Sequence, residues 1–221
     1  ASKETSEAGG ELAISLRLNH EPASDVSLKC ELLSESPNPE AAALCDDVLF
    51  NAAHWDETQT VTLYGIADNI VDGDQAFEIK ITTVSEDPEF NGLSFSESFT
   101  NKDTDKAEIL VSRSEIQTSE SGDKATFTVV LSSKPAANVT LTLASSKTEF
   151  GIIETAEDNS LSLTFTPENW NVPQTVTVVG IEDDGSHNKT PNAYEITFSK
   201  SVSEDSHYTG IELASVQATN L

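Results

Sequence analysis

The chain has 221 residues, and its 12 Lys and Arg against 38 Asp and Glu give a formal net charge of −26. Its length fits one large or two ordinary domains, and a hydrophobic content of 37 % suffices for packed cores, which excludes a wholly disordered chain. The acidity argues against nucleic-acid and membrane-surface partners and favours cations, and the absence of an apolar run of about 18 residues argues against membrane insertion.

Apolar residues occupy every second position in two early segments. Residues 12–18 alternate in this way, and so do residues 26–32, where Cys30 stands at an inward position. A period of two indicates half-buried antiparallel strands. The Ala-rich segment Pro39 to Leu44 predicts a short helical turn.

The turn after Gly65 is rich in carboxylates. Residues 68–74 read Asp-Asn-Ile-Val-Asp-Gly-Asp, alternating acids with a glycine suited to a tight turn. A calcium ion takes six to eight oxygens from loops of this composition. An ordinary solvated turn would look the same, because Asp and Gly are common turn residues. Both interpretations remain open at this point.

The second half of the chain repeats the first. The block at 5–9 returns at 118–122, the Trp-containing block at 55–62 returns at 170–177, and Val-Ser-Glu-Asp at 84–87 returns at 202–205. Their shared order indicates two tandem copies, which we place at 1–105 and 106–221. The strand-like stretch at 107–113 has no match before the block at 5–9, so we expect the first strand of the first copy to be truncated. Because both ends break the repeat, we expect a piece of a longer array.

Alternation continues in the second copy, at 125–131, 139–143 and 161–165. About seven such strands per copy, separated by turn signals, favour a sandwich over a propeller or a solenoid. The expected fold class is therefore all-β, with two tandem immunoglobulin-like antiparallel β-sandwich domains.

The repeated motifs resemble Calx-β domains, which are sandwich modules of sodium–calcium exchangers and of many bacterial surface proteins. They are an early Glu with a Gly turn, a Phe-x-x-x-x-Trp stretch leading into Gln-Thr-Val-Thr, a Gly-Ile followed by acids, and a Ser-x-Asp-x-x-aromatic-x-Gly segment. The resemblance implies calcium held by loop carboxylates at one end of each sandwich. Carried over, the ligands are Glu7, Asp68, Asp72, Asp74, Asp103 and Asp105 in the first copy and Glu120, Asp183 and Asp184 in the second. Asn69 stands where the family usually has a second Asp, and the loop after Asp184 carries little acid.

The remaining reactive residues suggest no catalysis. The four histidines lie scattered without zinc-ligand spacing, and no serine belongs to a nucleophile motif, so an enzyme is not expected. Cys30 and Cys45 are candidates for a disulfide, although Cys30 alone would also suit a buried position. Trp55 and Trp170 occupy equivalent places, which favours packing over ligand binding.

These observations predict a non-enzymatic repeat module of a bacterial cell-surface or secreted protein, located outside the cell. It would serve as a structural or adhesive stalk with calcium at the domain ends. Its partners would be neighbouring repeat domains of the same chain, together with a host or cell-surface protein or glycan. Two alternatives remain open: a calcium-sensing regulatory domain pair of a larger protein, and a metal-free accessory domain that binds carbohydrate or protein.

Overall fold

A computed structural model describes residues 3–34, 39–182 and 192–221. Within these ranges the chain forms strands and turns and no helix, which confirms the all-β fold class, and no helix that could span a membrane is found there. The chain divides into two compact units. Unit 1 comprises Ala1–Asp68 and Asp72–Thr104, and unit 2 comprises Asn69–Val71 and Asp105–Leu221.

Unit 1 is a sandwich of two sheets. One sheet has the strand order β1-β8-β7-β3-β5, in which β1 runs parallel to β8, and the other has the order β2-β6-β4. Apolar side chains from both sheets, such as Val61 on β6 and Ile79 on β7, are fully buried in one core. The strands of unit 1 are β1 (Glu4–Ser6), β2 (Glu11–Leu16), β3 (Val26–Ser34), β4 (Ala41–Leu44), β5 (Leu49–Phe50), β6 (Gln59–Gly65), β7 (Gln75–Ser85) and β8 (Ser94–Lys102).

Unit 2 repeats this plan with ten strands instead of eight: β9 is added, and the short strand β17 stands where unit 1 has the end of β7. Its sheets have the orders β10-β18-β16-β12-β14, with β17 also paired to β12, and β13-β15-β11-β9. The added strand β9 lies at the edge of the second sheet, and no described residue of unit 1 takes its place. The strands of unit 2 are β9 (Ile109–Val111), β10 (Glu115–Thr118), β11 (Lys124–Leu131), β12 (Val139–Ser145), β13 (Gly151–Ile153), β14 (Leu161–Phe165), β15 (Gln174–Gly180), β16 (Asn192–Phe198), β17 (Val202–Ser203) and β18 (Val216–Asn220).

The predicted helical turn at Pro39 to Leu44 is wrong. Residues Ala41–Leu44 form β4, which pairs antiparallel with β6, so that Ala41 lies opposite Gly65. Alanine favours helix by well under 1 kcal/mol per residue, and pairing with a neighbouring strand overrides so weak a preference. The strand also buries Ala41 in the core of unit 1.

Hydrogen bonds of one asparagine fasten the end of β6 to β1 and β8. The Oγ1 of Thr5 donates to Oδ1 of Asn101 at 3.0 Å, and Nδ2 of Asn101 donates to the carbonyl of Ile66 at 3.2 Å. A Cβ on Gly65 would overlap the Asn101 side chain and the carbonyl of Ser6, so this position requires glycine. Unit 2 repeats the arrangement with Thr118, Asn220, Ile181 and Gly180. The Thr-Ser-Glu and Gly-Ile motifs therefore have a structural role that does not depend on metal.

The Ser-x-Asp segment is likewise a structural device. Asp87 accepts backbone hydrogen bonds from Ala23 at 2.7 Å and from Glu89 at 2.9 Å, and these two donors hold the pKa of Asp87 below its ordinary value. The carboxylate thereby ties the β2–β3 loop to the turn after β7. The same pair of bonds recurs at Asp205, donated by Ala136 and His207.

A disulfide joins the two sheets of unit 1. Cys30 lies on β3, Cys45 follows the last residue of β4, and their Cα atoms are 6.1 Å apart. Cys45 is buried because it continues the inward-facing positions of Ala41 and Ala43, whereas Leu44 between them is 60 % exposed. The bond closes a loop of 15 residues in sequence.

Candidate metal centre

Four backbone segments converge at one end of unit 1. The residue before β4 is held beside the β6–β7 loop, since the amide of Ile66 donates to the carbonyl of Glu40 at 3.0 Å. The amide of Glu7, just after β1, donates to the carbonyl of Lys102 at the end of β8 at 3.2 Å. The amide of Gly73 donates to Oδ2 of Asp103 at 2.8 Å, which links the β6–β7 loop to the residue after β8. Side chains from distant parts of the sequence thus meet there.

One carboxylate cluster consists of Glu40, Asp68 and Asp72. One oxygen from each lies within 4.8 Å of the others. Glu40 is only 3 % exposed, and its Oε1 is buried without a hydrogen-bond partner among the described residues. The sequence predicted the two aspartates and missed the glutamate, which lies 28 residues away from Asp68 and belongs to no acidic motif. Pairing of β4 with β6 brings it to the loop.

Electrostatic crowding is apparent at Asp72. Burial raises the pKa of this carboxyl, and the nearby carboxylates of Asp68, Glu40 and Asp103 raise it further, against an opposing hydrogen bond from Gln75. The hydrogen bond from the amide of Gly73 holds Asp103, the residue after β8, beside the loop that carries Asp72.

In unit 1, Glu7 and Asp103 form a second acidic group, with one carboxylate oxygen of each within 4.8 Å of the other. Glu7 is 7 % exposed, and its Oε2 accepts a hydrogen bond from the amide of Thr104 at 3.0 Å. Asp105, also a predicted ligand, belongs to unit 2. Glu7 and Asp103 were both predicted as ligands. The structure brings them together through the parallel pairing of β1 with β8.

Asp74 lies outside both groups. Its Oδ2 is 2.6 Å from Nζ of Lys102, which also reaches Glu4 at 3.4 Å. This hydrogen bond from Lys102 is the main reason that the pKa of Asp74 is lowered. The structure therefore places Asp74 in an ion pair, while Asp68 and Asp72 lie in the first cluster and Glu7 and Asp103 lie together in the second group.

Unit 2 lacks an acidic residue at the position equivalent to Glu40. Its Ile181 amide donates to the carbonyl of Phe150 at 3.1 Å, as Ile66 does to Glu40, so a buried phenylalanine stands where unit 1 has the buried glutamate. The Nζ of Lys147 lies 5.2 Å from the centroid of that phenyl ring. Glu120 is exposed and joins no acidic cluster among the described residues, and the predicted ligands Asp183 and Asp184 lie outside those residues.

The donor set of unit 1 suits a hard cation. Both clusters contain carboxylates and neither contains His or Cys, and oxygen-only ligation is typical of calcium rather than zinc. A buried carboxylate oxygen without a partner is costly, and a bound cation would supply the partner. Glu40, Asp68 and Asp72 would hold such an ion, with Glu7 and Asp103 close by.

No protein-family model matches the chain, and no curated protein does. Among solved structures, the chain is similar to CBD12 from CALX1.2 (13 % identity, 94 % of this chain and 81 % of that chain, TM-score 0.40) and to the calcium binding domain CBD12 of CALX1.1 (14 % identity, 90 % and 78 %, TM-score 0.42). It is also similar to the periplasmic chaperone SfaE (8 % identity, 100 % and 96 %, TM-score 0.35). At such low identity these likenesses concern the immunoglobulin-like β fold alone.

Proposed function

We propose that this chain is a non-enzymatic repeat module of a secreted or cell-surface protein, and that calcium binds at the loop end of unit 1. The observation that carries the proposal is the buried Oε1 of Glu40, which has no hydrogen-bond partner among the described residues and lies in a cluster with Asp68 and Asp72. A fold rarely keeps such an oxygen unless something satisfies it. A cation would do so and would remove the repulsion among the carboxylates.

Calcium would act here as a structural cross-link. Glu40 precedes β4, while Asp68 and Asp72 lie between β6 and β7, so one ion would fasten segments from both sheets. Glu7 and Asp103 extend the acidic surface to β1 and β8. Neutralising these charges would stiffen this end of unit 1, which suits a stalk or adhesive repeat.

The Cys30–Cys45 disulfide supports a location outside the cytosol, because such bonds persist in oxidising compartments. Extracellular calcium modules bind with dissociation constants of about 0.1–1 mM, whereas intracellular sensors bind near the micromolar range. The affinity therefore separates a stalk from the calcium-sensing alternative.

Calorimetric titration with calcium chloride tests the proposal. The native chain should bind with a dissociation constant of about 0.1–1 mM. Changing Asp68→Asn together with Asp72→Asn should weaken binding at least tenfold. The matched control is Glu120→Gln, which alters an exposed acid of unit 2 and should leave the affinity for unit 1 unchanged. Absence of calcium binding to the native chain, or full affinity in the double variant, would contradict the proposal.

A further inference from the structure

The strand that follows Glu40 is held in its sheet on one side only. The strand order is β2-β6-β4, so β4 pairs with β6 and has no second neighbour in that sheet among the described residues. The pairing covers four residues, from Ala41 opposite Gly65 to Leu44 opposite Thr62. A short edge strand has few contacts to break, so it is able to open locally while the rest of the domain stays folded.

The equivalent strand of unit 2 is anchored by large buried side chains. By their pairing with β6 and β15, β4 and β13 are equivalent, and Ile153 stands at the place of Ala43. Ile153 is 2 % exposed, and Phe150, which stands at the place of Glu40, is 6 % exposed. Both side chains belong to the core of unit 2 and hold β13 against it.

The side chains of β4 provide no such anchor. Ala41 is buried and Ala43 is partly buried, whereas Leu44 is 60 % exposed. Hydrophobic stabilisation scales with the apolar area removed from water, and alanine offers little of it. Where unit 2 has a phenylalanine, Glu40 carries a charge within 4.8 Å of carboxylate oxygens of the β6–β7 loop. Without a cation, the repulsion among these carboxylates favours detachment of β4.

A covalent bond anchors β4 instead. Cys45 directly follows the last residue of β4, and its disulfide with Cys30 fastens that end to β3 in the opposite sheet. The loop closed by this bond contains Glu40. Unit 2, which has the larger side chains, contains no cysteine. A closed loop has fewer detached conformations available to it, so the bond favours the position in which Glu40 meets Asp68 and Asp72.

We propose that the Cys30–Cys45 disulfide sets the calcium affinity of unit 1, an inference that rests on the function proposed above. Glu40 is available as a ligand only while β4 is attached to β6. The apparent affinity for a ligand falls with the fraction of molecules in the binding-competent conformation. Breaking the bond lowers that fraction, so the reduced chain binds calcium at least tenfold more weakly. Because such coupling is reciprocal, bound calcium makes the disulfide harder to reduce by the same factor.

The redox step is thiol–disulfide exchange with a small dithiol. A thiolate of the dithiol attacks one cysteine sulfur and displaces the other as a thiolate, and the second dithiol sulfur then closes a ring and releases the first cysteine. The dithiol gives up two electrons and two protons, which convert the protein disulfide into two thiols. Cys45 is 4 % exposed and Cys30 is only partly buried, so the attack falls on Cys30.

Calorimetric calcium titration of the full chain tests the proposal. A variant with Cys30→Ala and Cys45→Ala should bind calcium at least tenfold more weakly than the native chain. The matched control is Asp87→Asn, which removes hydrogen bonds at the other end of β7 and should leave the calcium affinity unchanged. In hydrogen exchange without calcium, amides of residues 41–44 should exchange faster in the cysteine-free variant, while those of β13 should not change.

The titration separates this inference from the proposed function. Calcium binding by the native chain with equal affinity in the cysteine-free variant would overturn the inference and leave the proposed function standing. Absence of calcium binding by the native chain would overturn both. A similar loss of affinity in Asp87→Asn would also overturn the inference, because general destabilisation of unit 1 would then account for the effect.

A second measurement needs no cysteine substitution. The native chain is equilibrated in mixtures of reduced and oxidised dithiothreitol, with and without saturating calcium, and its free thiols are counted by mass spectrometry after alkylation. Calcium should raise at least tenfold the ratio of reduced to oxidised dithiothreitol at which half of the chains are reduced, which lowers the midpoint potential by about 30 mV. In Glu40→Gln, calcium should leave the midpoint nearly unchanged. A native midpoint that calcium does not move would overturn the proposal.

Discussion

Replacing Glu40 with glutamine is expected to stabilise the metal-free protein and to reduce the stabilisation that calcium provides. In the metal-free protein the Glu40 carboxylate lies within 4.8 Å of oxygens of Asp68 and Asp72. At that separation each like-charge pair costs about 1 kcal/mol in a water-like dielectric and about 3 kcal/mol at an effective dielectric constant of 20. Removing the charge relieves both pairs and keeps the side-chain shape, so it should stabilise metal-free unit 1 by about 2–6 kcal/mol.

Calcium should stabilise the native protein more than the Glu40→Gln variant. At a concentration 100 times its dissociation constant, a ligand that binds only the folded state stabilises it by about 2.7 kcal/mol. The native protein should gain this amount, whereas Glu40→Gln should gain much less because it has lost a charged ligand. For a domain of this size 1 kcal/mol shifts Tm by roughly 4–8 °C, so both effects are measurable.

Thermal unfolding followed by tryptophan fluorescence provides the assay. Each unit contains one tryptophan, Trp55 or Trp170, so a Trp170→Phe background reports on unit 1 alone. The control Glu120→Gln should change Tm little under either condition, because this acid is exposed and belongs to unit 2. A Glu40→Gln protein that is less stable than native without calcium, or equally stabilised by calcium, would refute the reasoning.

Three further predictions concern the scaffold. Replacing Cys30 and Cys45 together by serine should cost about 3 kcal/mol in denaturant unfolding, since the bond closes a 15-residue loop, and an unchanged midpoint would argue against its contribution. Asp87→Asn should destabilise unit 1 at pH 7. The stability difference between the variant and the native protein should shrink as the pH falls below about 4, because the lowered pKa of Asp87 in the folded state gives stability that protonation removes. A difference in melting temperature that does not change with pH would contradict this. Gly180→Ala should destabilise unit 2 by about 1–3 kcal/mol, because its Cβ would overlap the Asn220 side chain, and an unaltered Tm would show that the strands move apart freely.

Much of the fold could be predicted from the sequence because strand formation leaves a local signal. Apolar residues at alternate positions of 125–131 and 139–143 become the buried faces of β11 and β12. The repeated motifs also fall at equivalent places, since Gly65 and Gly180 meet matching asparagines. The repetition of these motifs in the sequence could not show whether their residues stabilise the fold or bind metal. Hydrogen bonds to backbone now account for the Gly-Ile and Ser-x-Asp motifs.

The candidate site could be predicted only in part, for a physical reason. Asp68 and Asp72 share one loop, so their proximity is visible in the sequence. Glu40 reaches them only because β4 pairs with β6, and its Ala-rich neighbours favour helix locally. Asp74 is as acidic as its neighbours in the loop, yet Lys102 on the adjacent strand holds it in an ion pair. Such pairings depend on sheet register, which the local pattern does not specify.

Backbone amide shifts measured by NMR during a calcium titration test the central claim most directly. We expect saturable shifts at Glu7, Glu40, residues 66–74 and residues 103–104, with little change in the same experiment on Glu40→Gln. Shifts confined to other acidic segments, such as Asp46 and Asp47, or an unchanged spectrum at millimolar calcium, would contradict it.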